Sequence, residues 1–189
     1  KANGLAAGKG VIIAQDEGEA IQAAEDLLSG DAFGDAGQQI VVEEFLQGQE
    51  LSYFALSDGE TLLPLVSAED YKKIGEGDTG PNTGGVGAFS PSHLLTPGLE
   101  KEITETILNP TITGMAARGI PFKGVLYAGL MLVNGQPYLL EYNVRFGDPE
   151  CQPLMLRLRS DLAAILYDAA QGHLREWRNA VQFHDQSAL

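Results

Sequence analysis

The stretch GVLYAGLMLVNGQPYLLEYNVRF, residues 124–146, decides the fold. Two runs rich in β-forming residues flank Asn134-Gly135, the dipeptide best suited to a two-residue hairpin turn, and so predict a pair of antiparallel strands. Side chains alternate along a strand, which puts Glu141 and Asn143 on one face and Leu140 and Tyr142 on the other. A two-residue turn pairs Gln136 with Val133, and the register then sets Ala128 opposite Glu141 and Leu126 opposite Asn143. Two hard oxygen donors side by side, with a small residue facing the carboxylate, suit a magnesium ion that completes its shell with phosphate and water. A polar strand end turned to water carries the same pattern, and the strand alone does not separate the two.

Working outward, QQIVVEEFLQGQELSYFALSDGETLLPLV (38–66) reads as a strand ending near Leu46 and a break at Gln47 and Gly48. A hairpin turning at Asp58-Gly59 follows. Residues 68–91, AEDYKKIGEGDTGPNTGGVGAFSP, show no usable periodicity and hold seven glycines or prolines between Gly75 and Gly87, so a long loop is expected there. Residues 11–14 read as a strand, and Asp16 with Glu19 forms a capping-box signature for a helix that Gly30 ends. Thr96-Pro97 opens a helical region with Leu99, Ile103 and Ile107 on one face and a kink at Pro110. A last helix follows Ser160-Asp161, with Leu162, Ile165, Leu166 and Ala169 inward. Hairpins mixed with helices indicate an α+β fold with antiparallel sheets.

The chain has 189 residues, 44% of them hydrophobic, enough for a real core in one domain or two small lobes. A formal net charge of −14 argues against nucleic acid or an anionic membrane surface as partner. One cysteine, Cys151, excludes an intramolecular disulfide and a cysteine-rich zinc site and suits a reducing cytoplasm. His93, His173 and His184 have no metal spacing, and no apolar run approaches the roughly 20 residues of a membrane span. The start at Lys1 and the ending HDQSAL read as the limits of a segment from a longer polypeptide.

KANGLAAGKG, residues 1–10, combines glycines that let backbone amides approach an anion with two lysines that supply charge. A Gly-rich surface turn has the same composition. The stretch is not a P-loop, because Gly4 and Gly8 stand too close together and Gly10 occupies the place of the metal-binding hydroxyl.

KANGLAAGKG, VVEEFLQGQE, DTGPNTGGVGAFSP and EYNVRFGDPECQ, in that order and over nearly the whole chain, resemble the phosphoribosylamine–glycine ligases of the ATP-grasp superfamily. The resemblance implies an ATP-grasp fold that holds ATP between two α+β lobes: residues 1–48 as the lid lobe with the glycine loop and adenine hinge, and 49–175 as the large lobe. Residues 176–189 would begin a missing C-terminal domain, with Trp177 packed against it, and an N-terminal domain of the same polypeptide would be missing as well. The resemblance assigns Lys1, Gly4, Gly8, Lys9 and Gly10 to the ATP phosphates. It assigns Glu43, Glu44 and Leu46 to adenine, Glu50 to the ribose, and Glu141 and Asn143 to Mg2+ or Mn2+. Asp78, Asn82, Thr83, Gly84, Gly85, Arg145 and Asp148 would line the acceptor site, with Arg145 and Lys1 neutralising charge during catalysis. Many ATP-grasp enzymes carry a further acidic metal ligand on the preceding strand, where Ala128, Gly129 and Leu130 offer none. The implied activity joins glycine to 5-phosphoribosylamine with ATP through a glycyl phosphate, a step of purine biosynthesis. The rivals are another ATP-grasp carboxylate–amine ligase and a non-catalytic nucleotide-binding fragment, and the isolated 189 residues are expected to turn over slowly or not at all.

Overall fold

The computed structural model describes residues 1–4, 10–31, 33–76 and 79–189, without the side chains of residues 72, 73, 81, 82 and 84. The chain divides into two compact units, Lys1–Leu46 and Gln47–Leu189. The sequence reading set this boundary after residue 48.

In the first unit residues 1–3 lie antiparallel to residues 39–41, with Asn3 N donating to Gln39 O at 2.9 Å and Val41 N to Lys1 O at 2.8 Å. Helix α1, Glu17–Leu28, starts where the capping residues place it: Asp16 Oδ1 accepts from Glu19 N, and Glu19 Oε2 accepts from Gln15 N. Of its apolar positions only Leu27 is buried, while Ile21 and Leu28 stay about half exposed. The strands expected at 11–14 and up to Leu46 do not form among the described residues. Val11, Ile12, Ile13, Val42 and Phe45 are all exposed, and an extended run without a neighbouring strand has no ladder to join.

The second unit is built on a five-stranded antiparallel sheet in the order β3-β2-β1-β4-β5. Its strands are β1 Gln49–Asp58, β2 Leu62–Gly75, β3 Thr79–Phe89, β4 Lys123–Val133 and β5 Gln136–Asn143. Alternation gives the sheet two apolar faces. Leu51, Tyr53, Ala55, Leu126, Ala128, Leu130 and Leu132 pack on Leu99 and Ile103 of α2 (Pro97–Ile103) and Ile112 of α3 (Asn109–Ala117). On the other face Phe54 and Tyr127 meet Leu154 of α4 (Cys151–Arg157), and Leu56 meets Ile165 and Ala169 of α5 (Leu162–Gln171). Asp161 caps α5 by accepting from Ala163 N and Ala164 N, as Ser160-Asp161 predicts.

Two sequence expectations change here. The β4–β5 turn forms at Asn134 (φ 51°) and Gly135 (φ 81°) with Val133 opposite Gln136, but a bulge at Leu140 moves the register by one. Glu141 therefore faces Gly129 and Asn143 faces Tyr127, instead of Ala128 and Leu126, because a bulge sets two residues against one. Residues 68–91 are no loop: most belong to the β2–β3 hairpin, whose edge strand β3 is polar and glycine-rich and whose pairing is interrupted at Tyr71, Lys73 and Gly75 of β2. Trp177 packs beside the Leu56 and Ile165 cluster and donates from Nε1 to Asp168 Oδ2 at 2.7 Å. Residues 176–189 lie in the second unit, with bridges Leu158 to Phe183 and Ser90 to Ala188. The helical region breaks near the expected kink, in a π-helical turn Thr104–Leu108 before Pro110. Among the described residues no helix is long and apolar enough to cross a membrane.

Candidate functional site

Ladder partners share a face, so the register sets the membership of the site. Glu50 pairs with Met131, Ser52 with Gly129 and Phe54 with Tyr127; Gly129 and Tyr127 pair in turn with Glu141 and Asn143. Glu50, Glu141 and Asn143 thus stand on the sheet face that also carries Ser52 and Tyr127. Glu141 and Asn143 are in contact, with Asn143 Nδ2 donating to Glu141 Oε1 at 3.3 Å. Glu141 is exposed and Asn143 half-buried. Across from the carboxylate, Gly129 carries no side chain; a Cβ there would already touch Glu141 Cγ at 3.4 Å. One carboxylate and one amide oxygen, accessible and unobstructed, fit a hard divalent cation whose other ligands are phosphate and water. The described residues contain no group of three or more acidic, histidine or cysteine side chains that would make an all-protein cage.

Beyond β5 the chain turns back over this face. Arg145 is exposed and donates to the Phe146 carbonyl at 2.9 Å, so its remaining donors are available to a ligand. Phe146 anchors the turn against Phe54, ring centroids 6.2 Å apart. Asp148 is exposed and accepts from Gln152 Nε2 at 3.1 Å. Glu150 is 2% exposed, and its Oε1 accepts from Ser52 Oγ at 3.0 Å and Tyr127 OH at 2.6 Å. Burial, then the hydrogen bond to Glu150 and the nearby charges of Glu150 and Asp70, push the Tyr127 phenol far above its ordinary value and keep it a donor. Burial, with the charges of Asp148 and Glu150, also raises the Cys151 thiol, which suits a packed thiol and not a nucleophile.

The structure brings the Gly85 end of the DTGPNTGG motif against the RFGDP turn. A Cβ on Gly85 would run into the ring of Pro149, so residues 83–85 lie directly against the turn. Thr83 Oγ1 accepts from Gly85 N at 3.1 Å. Asn82 pairs with Lys73 in the β2–β3 ladder and Gly84 lies within β3; their side chains are among those not described. Gly8, Lys9 and Asp78 lie outside the described residues.

In the first unit Lys1 Nζ contacts Glu43 Oε1 at 2.8 Å, the two side chains being 26% and 50% exposed. A partly solvated pair of this kind is worth about 0 to 1 kcal/mol, so either partner exchanges readily for another ligand. Gly4 N donates to Ala36 O and Gly10 O accepts from Ala2 N, both at 3.0 Å. Glu44 is exposed and Leu46 half-buried. Ser52, Tyr127 and Glu150 escaped the sequence reading. Alternation does place Tyr127 and Gly129 on one face, but no local pattern marks the final acid of GDPE as buried.

The sequence model of the phosphoribosylglycinamide synthetase ATP-grasp (A) domain matches residues 1–151. The phosphoribosylamine–glycine ligase of Agrobacterium fabrum is 56% identical over 183 residues, which is 95% of this chain and 43% of that protein. The chloroplastic phosphoribosylamine–glycine ligase of Arabidopsis thaliana is 57% identical over 92% of this chain and 33% of its own length. The chain therefore spans less than half the length of these relatives. Among solved structures, the phosphoribosylamine–glycine ligase of Thermotoga maritima superposes with a TM-score of 0.84 at 38% identity, covering 91% of this chain and 44% of that one. The biotin carboxylase domain of Hydrogenobacter thermophilus 2-oxoglutarate carboxylase, solved with MgADP, ADP and bicarbonate, shares the fold at 19% identity, with a TM-score of 0.64 over 94% of this chain and 37% of that one. The α+β architecture is thus the ATP-grasp fold, and the chain belongs to the phosphoribosylglycinamide synthetase ATP-grasp domain family.

Proposed function

We propose that this chain is the nucleotide-binding part of a phosphoribosylamine–glycine ligase, joining glycine to 5-phosphoribosylamine to give glycinamide ribonucleotide, ADP and phosphate in purine biosynthesis. The observation that carries the reading is the contact between Glu141 and Asn143 on an open sheet face shared with Glu50, in a chain more than half identical to ligases of that name. In this reading Glu43, Glu44 and Leu46 receive adenine, Glu50 receives the ribose hydroxyls, and Lys1, Gly4, Gly8, Lys9 and Gly10 approach the phosphates. Lys1 exchanges Glu43 for a phosphate oxygen, a swap that the weak partly exposed pair permits. Glu141 and Asn143 hold Mg2+ or Mn2+, which when bound offsets the negative charge of the triphosphate.

Glycine's carboxylate is a poor electrophile, so its oxygen first takes the γ-phosphoryl group and ADP departs. The amine of the sugar then attacks the carbonyl of the glycyl phosphate, an amide forms, inorganic phosphate leaves and the amine proton passes to solvent. The protein's share in such a transfer is placement and charge neutralisation. Arg145 presents a planar fork of donors to a carboxylate or phosphate. Asp78, Asn82, Thr83, Gly84, Gly85 and Asp148 line the acceptor side. The single cysteine suits a cytoplasmic setting.

The test is ADP release from the full-length polypeptide with phosphoribosylamine, Mg2+ and one carboxylate at a time. Release that requires glycine supports the reading; release with bicarbonate or another amino acid but not with glycine replaces it with a different ATP-grasp ligase.

A further inference from the structure

Glu150 has no role in the chemistry above, yet its side chain is among the most completely buried of the described residues. A carboxylate withdrawn from water is costly unless its oxygens are satisfied, and here the hydroxyls of Ser52 and Tyr127 converge on one of them. Two glycines let the surrounding backbone close on it. A Cβ on Gly147 would fall on the Glu150 carboxylate itself, and one on Gly85 would fall on Pro149, with Gly85 at φ +119° where side-chain-bearing residues rarely go. The glycine-rich edge of β3, the turn carrying Arg145 and Asp148, and the Glu150 carboxylate are therefore stacked in that order. The stack rests on the two strands behind the metal-side residues, because Tyr127 is the ladder partner of Asn143 and Ser52 that of Gly129, which faces Glu141.

We propose that Glu150 is a positioning residue: held by Ser52 and Tyr127, it fixes the turn bearing Arg145 and Asp148, and residues 83–85 upon it, at a set distance from Glu141 and Asn143, and so governs capture of the small amino-acid substrate and not of the nucleotide. The inference rests on the ligase reading, in which the turn and the β3 edge hold the acceptor. Glu50, Glu141 and Asn143 sit in hydrogen-bonded ladders that do not depend on Glu150, whereas the turn has no ladder of its own. Small displacements of a substrate-holding group have large kinetic effects.

The experiment measures KM for glycine, KM for ATP and kcat in the full-length polypeptide carrying Tyr127→Phe, Glu150→Ala, Glu150→Gln or Tyr53→Phe. Tyr53 is the comparator: it is also buried and donates to Glu100 Oε1 at 2.9 Å, but on the opposite sheet face. Tyr127→Phe and Glu150→Ala should raise the glycine KM about 10-fold or more while the ATP KM stays within about 2-fold. Glu150→Gln keeps the shape and an oxygen for both hydroxyls and should restore most of the loss, and Tyr53→Phe should leave the glycine KM unchanged. If Glu150→Ala fails to fold, Tyr127→Phe decides. A glycine KM unchanged in Tyr127→Phe, or glycine and ATP KM values rising together there, overturns the proposal. Wild-type protein that releases no ADP on addition of glycine overturns the ligase reading and this inference with it.

Discussion

Replacing Asp58 by asparagine tests the ionic closure of the β1–β2 turn. Asp58 is 4% exposed and uses both oxygens: Oδ1 accepts from Glu60 N at 3.0 Å and Thr61 N at 2.6 Å, and Oδ2 accepts from Leu174 N at 3.0 Å, 116 residues away. Burial alone would raise its pKa, but the three N–H donors, together with the positive charge of Lys123, outweigh it and hold the carboxyl below its ordinary value. Asparagine keeps the shape and one acceptor. If its oxygen keeps the turn, its NH2 meets the buried Leu174 N–H, donor against donor, a loss of about 1.5 to 3 kcal/mol. At about 2 to 4 °C per kcal/mol for a chain of this size, the melting temperature should fall by about 3 to 12 °C. The pH dependence has a definite sign. A group whose folded pKa is depressed stabilises above its unfolded value and loses that contribution as pH falls through the folded value. Protonated Asp58, like asparagine, offers Leu174 a donor in place of an acceptor, so the gap between wild type and variant should close below the ordinary carboxylate range. Urea midpoints for both proteins, taken stepwise from about pH 7 to about pH 2.5, measure it. A gap that is absent at neutral pH, or that persists undiminished in acid, refutes the reasoning.

Glu141→Gln should weaken Mg2+-dependent ATP binding at least about tenfold and leave metal-free nucleotide affinity nearly unchanged, which calorimetric titration with and without chelator resolves. Phe54→Ala removes a fully buried ring that packs at a tilt against Tyr127, centroids 4.6 Å apart, and Phe146, 6.2 Å apart, and should cost about 3 to 5 kcal/mol by chemical denaturation. Arg157→Lys should loosen residues 182–189: the guanidinium donates to Gln186 O, Ser90 Oγ and His184 O at 3.0 to 3.1 Å, a spread that one ammonium cannot span. Limited proteolysis should then cut within that stretch faster than in wild type.

The elements legible in the sequence were those whose signal is local. Asp16 and Asp161 cap helices within three residues of themselves, and Asn134-Gly135 carries its own turn conformation, so each formed where it was read. The β2–β3 hairpin was hidden because an edge strand of polar and glycine residues needs no apolar alternation, and its pairing with β2 is interrupted. The first-unit strands failed for the converse reason. Val11, Ile12 and Ile13 have β propensity, but propensity describes fitness for a partly buried pleated surface, and here they remain exposed.

The same division explains the site. Glu141 and Asn143 were readable because two residues on one strand share a face under any register, and the bulge at Leu140 changed their neighbours without separating them. That tolerance shows why expecting the wrong partner, Ala128, still left the two side chains adjacent on one face, with Gly129 across from the carboxylate. Glu150 was unreadable, since its burial depends on Ser52, 98 residues away, and Tyr127, 23 residues away, meeting on a face that only the assembled sheet defines. A pair of side chains on one face can be specified by spacing. A carboxylate that acts by holding a turn in place is specified by what closes over it, and for Glu150 the trace in the sequence is the absence of side chains at Gly147 and Gly85.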